Sequence, residues 1–303
     1  MDSPFRKARD RPMSDSIVKQ RTFASKAHAE LEALYLRYHK PEFLSTDPLW
    51  YAHQYSCAGD REVVALLASG FAFGNAKAFR KVLEGVLHRL GSHPAETLKR
   101  LSAGECREIS EGFVYRWIQG EDLALYVARL GELLRRYGSL SECFEAHRRG
   151  AVAAPGVWEL EPGLQAMAEE YQGIWPAGIS PRERVLKRAS GEESALPTAA
   201  DGLFPRLSKG SACKRTFLFL RWVCRPADGI DLGLWPVDPA LLLMPVDTHV
   251  FQAARRLRLV TGVKSVNRGY VKKLTAKLAR FDASDPTRFD FSLTRPGMMG
   301  VAD

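Results

Sequence analysis

The stretch Leu207–Trp222, LSKGSACKRTFLFLRW, decides how this chain is read. Its first half is small and polar. Its second half, with Phe217, Leu218, Phe219, Leu220 and Trp222, and Val223 just beyond it, is apolar nearly all round, which predicts a core helix over about 212–224. Gly210 permits a tight turn ahead of that helix, and Ser211 is a good N-cap. Lys214 then falls at about the third helical position. The free N–H groups of the first turn, flanked by Lys209 and Arg215, make an anion site suited to a phosphate. A lysine there opposes the positive end of the helix and sits beside Arg215. Both effects favour the neutral amine, the form that attacks carbon. The same residue is also consistent with a simple phosphate contact, or with a stem that runs out to solvent.

A second motif, PVDTHVFQAARRL, runs from Pro245 to Leu257 and places Asp247 33 residues after Lys214. Asp247 precedes a helix with Val250, Phe251, Ala254 and Leu257 on one face. An Asp at that place caps the helix, and a carboxylate fixed in this way can also stabilise a cationic, sugar-like transition state. His249 either orients Asp247 or serves as a core or capping histidine. Trp235, in the Pro-rich loop between the motifs, either stacks on a ligand ring or is buried. Ser211-x-x-Lys214 also matches the nucleophile motif of serine β-lactamases, but the Lys-Thr-Gly partner is missing.

Outward from these motifs the chain reads as helical. Residues 1–26 lack periodicity and read as a flexible basic arm. Helical spacing begins at Ala27, with Leu31, Leu34, Tyr35 and Tyr38 on one stripe. A long segment from Arg61 to Leu90 carries a second stripe, interrupted by Gly70 and Gly74. Short amphipathic helices follow over 96–147 and at 162–171. Residues 173–202 form a Pro- and Gly-containing connecting loop. Helices at 248–259 and 270–280 complete the pattern. Alternating strand patterns are almost absent, so the expected fold class is all-α. The expected divisions are the arm 1–26, N-terminal helices 27–60, a central helical unit 61–246 and a C-terminal lobe 247–303.

Charge narrows the partner. The 303 residues carry a formal +9. From 202 to 227 there are six Lys/Arg and no acid, and from 248 to 281 nine and no acid. Such polarity suits a polyanion, although a solvated basic face would look the same. Five dispersed cysteines suggest free thiols in a reducing compartment. No apolar run reaches membrane-spanning length, and the N-terminus lacks a secretory h-region. A cytoplasmic, nucleoid-associated protein is the expectation.

Together, GSACKRTFLFL and PVDTHVFQAARRL resemble the helix-hairpin-helix DNA glycosylases, of which endonuclease III is a member. In motif position Lys214 matches that superfamily's catalytic lysine and Asp247 its catalytic aspartate. The 33-residue spacing is closer to the archaeal 8-oxoguanine glycosylases. Phrases such as FLRW, DLGLW and RFDFSLTRPG are similar to a bacterial family usually placed in the superfamily. The resemblance implies a two-lobed fold with a cleft between the lobes. It also implies a base-excision enzyme with AP-lyase activity through a lysine Schiff base, acting as a monomer on a flipped nucleotide of duplex DNA, without cofactor or metal. Backbone contacts would come from Lys209, Gly210, Ser211, Arg215, Arg255 and Arg256, and the base pocket from Trp235, His249 and Phe71. The chain departs from the pattern in three places. Ala212 replaces the hairpin's second glycine, Gly70 stands near the position of a gap-filling glutamine, and no cysteine follows Cys224, which excludes the four-cysteine iron–sulfur cluster. A non-catalytic helix-hairpin-helix DNA- or RNA-binding protein is the other reading.

Overall fold

Apolar stripes at helical spacing organise the chain into helices stacked on one continuous core. A computed structural model describes residues 15–154, 157–176, 198–207, 210–263 and 265–299. Among them the helices are α1 (Asp15–Tyr38), α2 (Ala58–Phe71), α3 (Ala76–Leu90), α4 (Pro94–Arg100), α5 (Ala103–Glu108), α6 (Gly120–Tyr137) and α7 (Leu140–Arg149). Then come α8 (Glu161–Gly173), α9 (Ala199–Leu203), α10 (Lys214–Cys224), α11 (Thr248–Arg256), α12 (Arg268–Leu278) and α13 (Asp290–Met298). The fold is all-α, with a two-stranded hairpin, β1 (Val114–Tyr115) and β2 (Ile118–Gln119), as a small addition. No helix among the described residues is long and apolar enough to cross a membrane.

Helix α2 lies at the centre: residues 62–71 are all buried, and it packs against α10, α4 and the 3-10 turn Pro48–Gln54. Its buried Glu62 accepts hydrogen bonds from the N–H groups of Leu140 and Ser141, at 2.7 and 3.2 Å, and so caps α7 from outside. Burial pushes this carboxyl up while those bonds hold it down, and the net shift is upward. Arg129 of α6, fully buried, bonds Asp201 at 2.5 Å and the carbonyls of Ile174 and Gln172, which ties α8 and α9 to the core.

Several expectations change here. The 61–90 stripe is two helices, because the chain breaks at 72–75, where Gly74 takes φ +80° and Asn75 caps α3. The basic arm is helical from Asp15 on; residues 1–14 lie outside the described residues, as does most of the 173–202 loop. Helix α13 went unread because RFDFSLTRPG carries a proline, yet Pro296 sits in the helix with almost all of its neighbours buried.

Candidate active site

Lys214 is the first residue of α10, not the third. The N-cap is Cys213, held at φ 44° and ψ 39°, while Ser211 turns its hydroxyl back to accept from the Cys213 N–H at 3.3 Å. A non-glycine residue in the left-handed region is strained and persists only where its surroundings hold it. Arg268, at the start of α12, does the holding: its side chain bonds Ser211 O, Leu207 O and Cys213 Sγ at 3.1–3.2 Å, and its N–H bonds Gly210 O at 3.1 Å. Gly210 itself takes φ +66° in the turn, as expected of it. Lys209 lies outside the described residues.

Asp247 is the N-cap of α11. Its Oδ1 accepts from the Val250 N–H at 2.8 Å, and its Oδ2 lies 3.5 Å from Lys214 Nζ. One oxygen thus closes the helix while the other faces the lysine, and both side chains remain partly open to solvent. They line a cleft of about 590 Å³ together with His249, Asn75, Asp290 and Arg221. His249 packs against Gly297, where an added Cβ would come within 2.5 Å of the ring Nδ1.

The floor of the cleft is charged and buried. Arg221 of α10 bonds Asp290 at 2.5 Å and Asp231 at 2.9 Å, and Arg295 bonds Asp47 at 2.5 Å. Asp290 is 3% exposed, and its Oδ1 has no hydrogen-bond partner among the described residues. Burial pushes its carboxyl up to about 6; Asp247 and Asp47 add to the shift, and Arg221 opposes it. Sequence reasoning missed Asp290, Arg221, Asp47 and Arg295. The clue was an acid inside an otherwise apolar run, FDFSL, where an unpaired charge is costly.

Of the described residues expected at the site, only Lys214, Asp247 and His249 line this cleft. Trp235 is core: it is 4% exposed, stacks on Phe144 and donates its indole N–H to Glu62 at 2.9 Å. Phe71 is fully buried among Phe113, Tyr115 and Tyr126. Arg215 donates to the carbonyls of Gly70 and Gly202 at 2.8 and 2.5 Å, with its guanidinium 5.1 Å from the Phe73 ring centre. Gly210 and Ser211 are exposed on the turn. Arg255 is exposed, and Arg256 pairs with Glu30 at 2.5 Å.

Part of the basic stretch 202–227 is paired within the protein. Arg221 and Arg225 are buried against Asp231, Asp290 and Asp285, Lys214 faces Asp247, and Arg215 meets carbonyls. Elsewhere, Cys143, His147 and Glu170 place donor atoms within 4.8 Å of one another. Glu170 is already held by Arg136, Tyr137 and His147, so the group reads as a hydrogen-bonded carboxylate rather than a metal centre.

A family model described as "Protein of unknown function (DUF2400)" matches residues 47–299. The chain belongs to the DUF2400 family. No curated protein and no solved structure matches it. The matched span takes in Lys214, Asp247 and Asp290, so the cleft is part of what the DUF2400 model describes.

Proposed function

We propose that this chain is a DNA base-excision glycosylase with AP-lyase activity, in which Lys214 is the nucleophile and Asp247 its carboxylate partner. The observation that carries the reading is the 3.5 Å approach of Lys214 Nζ to Asp247 Oδ2 in one open cleft. In the proposed reaction a nucleotide is turned out of the duplex into the cleft, because C1′ is unreachable inside the stack. Asp247 accepts the ammonium proton, and the freed amine attacks C1′. The base departs with its bonding electron pair; the aminal left at C1′ opens as the C1′–O4′ bond breaks and O4′ takes a proton, and the Schiff base so formed allows β-elimination of the 3′ phosphate as C2′ loses a proton. The cleft would lie between two lobes, as in the helix-hairpin-helix glycosylases that the two motifs resemble.

Incubation with duplex DNA carrying an abasic site, followed by borohydride, tests the reading. We expect a covalent adduct that Lys214→Gln abolishes while leaving duplex affinity nearly intact. No adduct with the wild type would defeat the lyase. Loss of affinity in step with loss of trapping would make Lys214 a backbone contact and the protein a binding module.

A further inference from the structure

We propose that Asp290 is the general acid of the cleft, delivering a proton to the base as it leaves. The inference rests on the glycosylase reading above, but on different atoms. Asp290 begins α13 and lines the same cleft as Lys214 and Asp247. Its two oxygens are in unequal surroundings: Oδ2 is held by Arg221 at 2.5 Å, and Oδ1 is buried without a partner among the described residues. An unpartnered buried carboxylate oxygen costs free energy, a carboxylic O–H at that position costs less, and a ligand nitrogen that accepts from this O–H, and donates back once the proton has moved, supplies the missing partner.

The charged groups around Asp290 fit this role. Arg221 faces it from α10, Asp247 from the start of α11 and Asp47 from the 3-10 turn, while Lys214 and Arg295 line the same cavity. Burial first, then the two neighbouring carboxylates, hold the neutral form up to about 6 against the pull of Arg221. Such a value suits a group that must carry a proton near neutral pH and release it in the transition state. The step balances. The C1′–N bond breaks with its electron pair on the base nitrogen, which takes the Asp290 proton. Lys214 nitrogen bonds to C1′, and its own proton passes to Asp247. The Asp290 carboxylate left behind is stabilised by Arg221 and is reprotonated from water.

Abasic DNA has no base to protonate, which separates the two proposals. We would measure 8-oxoguanine release from a duplex, and borohydride trapping on an abasic duplex, for wild type and Asp290→Asn. Expected is an excision rate that falls on the order of 100-fold relative to the trapping rate of the same variant. Wild-type excision should also decline above about pH 6, with that limb absent from Asp290→Asn. Equal losses of excision and trapping in a variant that melts normally would overturn the proposal, as would unchanged excision. A wild type that traps abasic DNA but releases no 8-oxoguanine would overturn it too. Absence of trapping would instead defeat the lyase reading. Trapping also reports whether the variant has folded, and the wild-type pH profile needs no variant.

Discussion

At the scale of single residues, the two oxygens of Asp247 show how one side chain serves stability and chemistry together. Asn is as good an N-cap as Asp, so Asp247→Asn should keep the bond to Val250 N–H and stay within about 1 kcal/mol of wild type by chemical denaturation. Trapping should slow all the same, because the carboxylate facing Lys214 is gone. A variant that loses several kcal/mol would show that the ion pair is structural first. Gly297 sets a second local limit. A methyl there would meet the His249 ring at 2.5 Å, so Gly297→Ala should displace the ring and shift the His249 resonances. Unchanged resonances would mean that the ring moves freely and has no fixed place in the cleft.

At the scale of elements, α12 acts as a clamp on the turn before α10. Arg268 holds three groups of that turn and rests against Phe217, with its guanidinium 5.0 Å from the ring centre. Arg268→Ala should therefore speed amide exchange at Gly210–Cys213 well before it affects α6 or α2. If exchange accelerates evenly through the protein, the clamp is ordinary core packing. Arg221 works between elements, joining α10 to α13. Replacing it with Met leaves Asp290 buried without its cation, and such a loss costs about 3–5 kcal/mol. A melting temperature close to wild type would show that Asp290 takes up a proton instead.

Across the whole molecule, two carboxyls move stability in opposite directions with pH. Asp290 is held above its unfolded value of about 4, so the folded state binds the extra proton. Its ionisation therefore withdraws stability as pH rises from about 4 to about 6. Asp228, held low against burial by His39 and Arg225, behaves conversely: its contribution is present above pH 4 and is lost as pH falls. The difference in unfolding free energy between wild type and Asp290→Asn should thus shift towards the variant by roughly 2–3 kcal/mol over pH 4–7. A difference that does not change with pH would show that Asp290 titrates normally. Most helices and their order were legible in the sequence because apolar spacing and capping chemistry are local signals, although α13 was not read and 61–90 was read as one segment. Lys214 and Asp247 were paired through the family that their two motifs resemble. Two further features were not legible. A Lys/Arg run reads the same whether water or a distant Asp neutralises it, and Arg221 finds Asp290 69 residues away. Strands of two residues, like those at 114–119, are too short to show alternation.

The Arg221–Asp290 bond also sets an order of events during biosynthesis. At about 5–20 residues per second, the ribosome adds those 69 residues over several seconds after Arg221 is made. Throughout that interval the guanidinium can pair with Asp231 but not with Asp290. The cleft, whose floor contains the Arg221–Asp290 bond, therefore cannot be complete until α13 has been synthesised.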